Sequence, residues 1–177
     1  MVRFFSAFLI STLFLIAPHS AQAAEPMTQD FDDWRMVCET VEKEKQQRCR
    51  AFQRLSVRQG EQTQVLLIAS IGYIDDGKAG RVPTLRLTTP LGVVLPAGLA
   101  VNVDKGEKEN LPFHICLPDG CMTEIGLSDK GIAEMKKGRA MHIVYRAAGI
   151  KQPVAVQVSL KGFTAAYNAL ANHEKKP

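Results

Sequence analysis

Histidine is scarce in this chain, with 4 in 177 residues. The His-Glu-x-x-His pair of zinc hydrolases does not occur. Neither does the Gly-x-Ser-x-Gly elbow of serine hydrolases, nor a glycine-rich phosphate loop. These absences exclude the corresponding motif-based enzyme classes. Gly72, Gly77 and Gly80 read as turn punctuation. Cys-x-x-Cys is also missing, which removes the usual signature of a dithiol oxidoreductase or a zinc ribbon. Asp32-Asp33, Asp75-Asp76 and the Glu107/Glu109 pair lack calcium-loop spacing and read as solvated loops. Neither sign of charge dominates: 22 Lys and Arg face 18 Asp and Glu, a formal net of +4. That bias is too mild to imply a nucleic-acid partner. These patterns predict no catalytic residue, no metal ligand and no cofactor. His114 and His142 fall on polar strand faces, and His173 falls in a polar tail.

Long apolar runs are confined to the N-terminus, MVRFFSAFLISTLFLIAPHSAQAAEP. Arg3 supplies a basic start, Phe4 to Ala17 is apolar, Pro18 breaks the run, and Ala21-Gln22-Ala23 is a small-x-small site. This pattern predicts a secretory signal peptide cut between Ala23 and Ala24. A retained membrane anchor is the competing reading, but the run is shorter than the ~20 residues of a spanning helix. After Ala23 no uncharged stretch is long enough to cross a bilayer, so no transmembrane segment is expected in the mature chain. The predicted organisation is a signal peptide over 1–23, a disordered lead-in over 24–30, a single domain over 31–172 and a polar tail over 173–177. The expected address is the periplasm, with outer-membrane association or secretion as alternatives.

Export bears on the cysteines. Cys38, Cys49, Cys116 and Cys121 all follow the predicted cut, and an even count in an oxidising compartment favours disulfides over metal or redox chemistry. The spacing favours Cys38 with Cys49 and Cys116 with Cys121. Pro118-Asp119-Gly120 supplies a turn between the second pair. The chain-entropy model assigns roughly 2–3 kcal/mol to each such short loop.

The rest reads mainly as strands. Trp34, Met36 and Cys38 alternate onto one face, and Trp34 is assigned to the core. The charged insert ETVEKEKQQR reads as a solvated hairpin or loop. RCRAFQRLSV has an imperfect strand pattern. Val65 to Ala69 is apolar without alternation and predicts a buried strand. Leu85 and Leu87 alternate with Arg86 and Thr88, and Leu99, Val101 and Val103 with Asn102 and Asp104. ENLPFHICL puts Leu111, Phe113, Ile115 and Leu117 on one face, with CMTEIGLS returning after the turn. SDKGIAEMKKG predicts a short helix capped by Ser128 and stopped at Gly138. RAMHIVYRA and QPVAVQVSLKG follow as strands. GFTAAYNALANHE closes the chain as a helix with Phe163, Tyr167 and Leu170 on its core side. The expected fold is all-β and mainly antiparallel: a β-sandwich of about nine short strands with two small helices, the second near the C-terminus.

Two basic runs remain: Lys43, Lys45, Arg48, Arg50, Arg54 and Arg58, and Lys136, Lys137 and Arg139. A solvated charged face is the simpler reading of each, and contact with an anionic envelope or host surface is the sharper one. Lys43, Lys45 and Arg48 are the first candidate interaction surface, on an insert that a Cys38–Cys49 bridge would tether.

Trp34-x-x-x-Cys38, TPLGVVLPAGLAVNVD over 89–104, PFHICLPDGC over 112–121 and VSLKGFTAAYNAL over 158–170 occur in this order. Together they resemble the invasion-associated locus B family of exported bacterial proteins over nearly the whole predicted mature chain. The variable stretch is the insert between Cys38 and Cys49. The resemblance implies a compact β-rich sandwich, an envelope or secreted location in a Gram-negative-type cell and an association with host-cell entry. It supplies no catalytic mechanism and no defined ligand. The function expected is a non-enzymatic interaction protein whose partner is a protein, a glycan or a membrane surface. A periplasmic assembly or chaperone-like module is the alternative, and a hydrolase or lyase with an unrecognised site is the third reading.

Overall fold

The computed structural model describes residues 27–41, 46–75, 77 and 80–174. In chain order the strands are β1 (Met27–Phe31), β2 (Trp34–Val41), β3 (Gln46–Gln59), β4 (Gln62–Asp75), β5 (Arg81–Thr89), β6 (Leu99–Val103), β7 (Glu109–Leu111), β8 (Ile115–Leu117), β9 (Gly120–Gly126), β10 (Ala140–Tyr145) and β11 (Val154–Ser159). Helix α1 (Asp129–Lys137) precedes β10, and α2 (Phe163–Glu174) ends the described chain. A seven-stranded sheet runs β1-β2-β3-β4-β5-β9-β8 and a four-stranded sheet β11-β10-β6-β7. Every strand pairing is antiparallel.

The core lies between the two sheets and α2. Trp34, Met36, Ala51, Leu67, Ala69, Ile71, Leu85 and Leu87 line the inner face of the large sheet. Met141, Ile143, Tyr145, Val156 and Val158 come from the small one, and Phe163, Ala166 and Leu170 from α2. Trp34 is 1% exposed. Its ring meets Phe163 edge-on at 5.3 Å, a favoured aromatic geometry, and its indole N–H donates to the Ser159 carbonyl at 2.9 Å. Gln53 reaches the same residue: its Oε1 accepts from the Ser159 N–H at 2.9 Å and its Nε2 donates to the Ser159 carbonyl at 3.3 Å. One inward polar side chain thus ties β3 to β11 and satisfies edge backbone groups that burial would otherwise leave unpaired. The Tyr145 hydroxyl makes a similar tie to the Leu66 carbonyl at 2.8 Å.

Both helices form where the period changes. Ser128 caps α1, its hydroxyl accepting from the Gly131 N–H at 3.2 Å, and Ile132 and Met135 are buried. At Gly138 an added Cβ would meet Val103 and Leu160, so the turn out of α1 needs a residue without one.

Several expectations are revised. Among the described residues there are eleven strands, where about nine were expected. The lead-in over 24–30 loses its last residues to β1, because the tight turn at Asp32-Asp33 folds Met27–Phe31 back onto β2. Its side chains are mostly exposed, so no alternation announces it. ENLPFHICL is two strands on different sheets. β7 ends at Leu111, Pro112 interrupts the pairing, since it has no N–H to donate, and the chain crosses to the large sheet at β8. Ile115 and Leu117 are consequently 52% and 44% exposed. Of the two readings of the charged insert, hairpin or loop, its described ends follow the hairpin: Glu39–Val41 pair with Gln46–Arg48 above the Cys38–Cys49 position. Val65 to Ala69 does alternate in burial, with Leu67 and Ala69 fully inside and Val65, Leu66 and Ile68 partly covered. The helix read over GFTAAYNALANHE and the tail read from residue 173 overlap, and the helix prevails: α2 continues through Glu174, which pairs with Arg81. The predicted signal peptide, Ala23, Ala24, Lys43, Lys45 and residues 175–177 lie outside the described residues.

Candidate interaction surface

Period-2 alternation places β2, β3, β4 and β5 residues of one parity on the core and those of the other parity on the outer face of the large sheet. On β3 the outer set is Arg48, Arg50, Phe52 and Arg54. Register sets Arg48 opposite Glu39, Arg50 opposite Gly72, Phe52 opposite Ser70 and Arg54 opposite Ile68. On β5 it includes Val82, Thr84, Arg86 and Thr88, with Arg86 opposite both Ser70 and Glu124. This face therefore holds guanidinium groups on β3 and, across the intervening β4, on β5, with half-buried Phe52, Ile68, Ile74, Val82 and Met122 on the same face.

Part of the charge is paired across strands. Arg50 Nη2 lies 3.2 Å from Glu39 Oε1, and Arg86 Nε lies 2.5 Å from Glu124 Oε1. Nearer the β1 edge, Arg35 Nε meets Asp30 Oδ1 at 2.6 Å, and that hydrogen bond holds the Asp30 carboxyl below the usual range. Such exposed pairs stabilise little, but they fix arginine heads in position. An open groove of about 160 Å³ runs over Gly72, flanked by Glu39, Arg48, Arg50, Thr84 and Arg86. A second open groove, of about 400 Å³, lies between the β3–β4 arm and the β8–β9 turn, with Val65, Ile68, Pro90, Leu91 and Pro118 in its wall.

Both disulfides join directly paired residues on neighbouring antiparallel strands. Cys38 and Cys49 face each other across β2 and β3, and Cys116 and Cys121 across β8 and β9, each with Cα atoms 4.0 Å apart. Gly120, with φ of 140°, turns the chain where an added Cβ would strike the Thr89 carbonyl.

The predicted candidate residues separate. Arg48 lies on β3 at the outer face, while Lys43 and Lys45 fall outside the described residues. His114 sits in the crossing segment, where its Nδ1 accepts from the Glu124 N–H at 3.3 Å. His142 is half-buried on β10, between Met141 and Ile143, which face the core. His173 is the residue that sequence reasoning placed least well. It occupies the last turn of α2, and an imidazole nitrogen lies within 4.8 Å of both sulfurs of the Cys38–Cys49 bridge. The closing helix read over GFTAAYNALANHE already contained it, but nothing local indicated that its last turn would lie over a disulfide.

These features define a disulfide-stapled antiparallel β-sandwich whose larger sheet presents a basic, partly apolar outer face. The chain belongs to the invasion associated locus B (IalB) protein family, whose model matches residues 34–171. It is 28% identical over 161 residues to an invasion protein B homologue of Brucella abortus strain 2308, covering 91% of this chain and 88% of that protein. The homologue from Brucella abortus biovar 1 strain 9-941 matches to the same extent. The crystal structure of invasion associated protein B from Bartonella henselae superposes with a TM-score of 0.67 at 22% identity, over 85% of this chain and 99% of that one. That likeness is one of fold.

Proposed function

We propose that this chain is an exported, non-enzymatic interaction protein that binds an anionic partner through the outer face of its seven-stranded sheet. The observation that carries this is the placement of Arg48, Arg50 and Arg54 on β3 and of Arg86 on β5, on one face of the sheet across the intervening β4, around half-buried apolar side chains. Arginine suits such a face, because its planar fork binds carboxylate or phosphate in bidentate fashion and stacks on apolar or aromatic groups. In the sequence, Lys43 and Lys45 belong to the same basic run as Arg48, Arg50 and Arg54. The partner is a protein, a glycan or a membrane surface carrying negative charge. Two disulfides suit an oxidising compartment, and the N-terminal pattern supports export to the periplasm or beyond. The names of the Brucella and Bartonella relatives extend the proposal to a contribution to host-cell attachment or entry.

The test is binding of the mature chain to envelope fractions and host-cell membranes over a salt series. Replacing Arg50 and Arg54 with Ser should weaken binding several-fold at low salt and flatten its salt dependence, with the thermal melt nearly unchanged. Replacing Lys43, Lys45 and Arg48 with Ser should add to that loss. Binding that ignores both sets removes this face as the interaction site.

A further inference from the structure

We propose that reduction of the Cys38–Cys49 bridge creates a site for one thiophilic d10 metal ion, held by the two cysteine sulfurs and the His173 imidazole. The three ligand atoms already lie within 4.8 Å of one another. A tetrahedral zinc site needs sulfur–sulfur and sulfur–nitrogen separations of about 3.5–3.8 Å, from its metal–ligand bond lengths. Breaking the disulfide therefore requires only that two side chains swing apart around a fixed point, and the imidazole is already beside them.

The third ligand is held in place by the fold. Phe163, Ala166 and Leu170 anchor α2 in the core. Its last residue, Glu174, pairs with Arg81 on β5, and Arg81 also donates to the Tyr73 carbonyl at 2.8 Å. Cys38 is buried, while Cys49 and His173 are half-buried, so an ion can enter from one side and keep an open fourth position. Two thiolates and one divalent cation carry no net charge, which suits a partly buried site. The ligand set is soft, which favours zinc over calcium or magnesium.

The chemistry balances with a dithiol reductant. The reductant gives up two electrons and two protons and becomes a disulfide. The Sγ–Sγ bond breaks to two thiols, which release two protons as a divalent ion binds, and His173 contributes a neutral lone pair. Cys116–Cys121 is the internal control, because among the described residues no third ligand of this kind stands beside it. The chain would thus hold metal in reducing surroundings.

The test uses Zn²⁺ and a chromogenic chelator in competition, on the mature chain with Cys116→Ser and Cys121→Ser so that one pair remains. Without reductant it should bind no zinc. After reduction with a phosphine it should bind one ion per chain, and His173→Ala should weaken that binding by about tenfold or more. If reduction unfolds the chain, Zn²⁺ should restore the near-ultraviolet circular dichroism of the His173 form and not that of His173→Ala. Equal zinc affinity with and without His173 overturns the proposal. So does equal binding by the Cys116–Cys121 pair when Cys38 and Cys49 are replaced by Ser, or metal-induced refolding independent of His173.

Discussion

The two disulfides have the same local form and opposite settings. Each staples a directly paired position on two antiparallel strands with the same Cα separation of 4.0 Å. Cys38–Cys49 has its first sulfur in the main core, beneath the last turn of a helix. Cys116 lies exposed on a three-residue edge strand, and only Cys121 is buried. The first bridge joins packing that already involves β2, β3 and α2. The second holds a strand too short to stay on the sheet through its own ladder. A covalent link of one kind therefore acts in one place as part of a core and in the other as a clasp at an edge.

The largest effect should come from the core side of the first bridge, without touching sulfur. Trp34→Ala removes the contact with Phe163 and the hydrogen bond to Ser159, and should cost about 3–5 kcal/mol in urea unfolding. A loss below about 1 kcal/mol would mean that this end of the core is not what holds α2. Next comes replacement of both Cys38 and Cys49 by Ala. The loop-entropy model gives about 3 kcal/mol for that loop, with the smaller core side chains adding to it. The matching change at Cys116 and Cys121 closes a shorter loop and should cost about 2 kcal/mol. Hydrogen exchange should then rise mainly over β8 and the following turn, while β2 and β3 stay protected. Exchange spreading evenly through both sheets would erase the distinction between core and clasp.

A noncovalent staple sharpens the comparison, and its effect is the smallest. The Asp104 carboxylate accepts from the N–H groups of Arg139, at 3.2 Å, and Ala140, at 3.0 Å, and so joins the turn after β6 to the start of β10. Those backbone donors hold its carboxyl below the usual value of 3.8. A depressed folded-state pKa means the folded chain binds this proton less readily than the unfolded chain. The contribution is therefore fully present above the unfolded value and is lost as pH falls through the folded one. Asp104→Asn keeps the shape and tolerates the positive φ of 48°. Its stability deficit against the native chain should shrink as pH is lowered from about 6 to about 3. A constant deficit across that range would show that the carboxylate charge contributes nothing. Neither disulfide should show such a slope.

Much of this arrangement was legible in the residues. The alternation in β5, β10 and β11 identifies their inward side chains directly, because each buries one face and leaves the other partly or fully open. Ser128 and Gly138 bracket α1 through a hydroxyl cap and a close approach. The first strand was not legible, since an exposed edge strand carries no alternation. Nor was the break at Pro112, because the apolar period continues across it while the backbone changes sheets. The outer arginine face was legible only in part, for a related reason. Arg48, Arg50 and Arg54 are visible as a run, but Arg86 joins them only through β4, and that pairing is not written in any local pattern.

By itself the sequence determined the periods, the turns, the helix ends and the pairing of cysteines close along the chain, all of which depend on neighbours within a few residues. Tertiary structure alone decided which strands share a sheet, where the basic face assembles and which histidine meets a disulfide. Trp34 and Ser159 bond across 125 residues, and Gln53 and Ser159 across 106. Contacts of that range follow from how whole faces pack against each other to exclude water, and a local period states only that a face exists, not what will cover it.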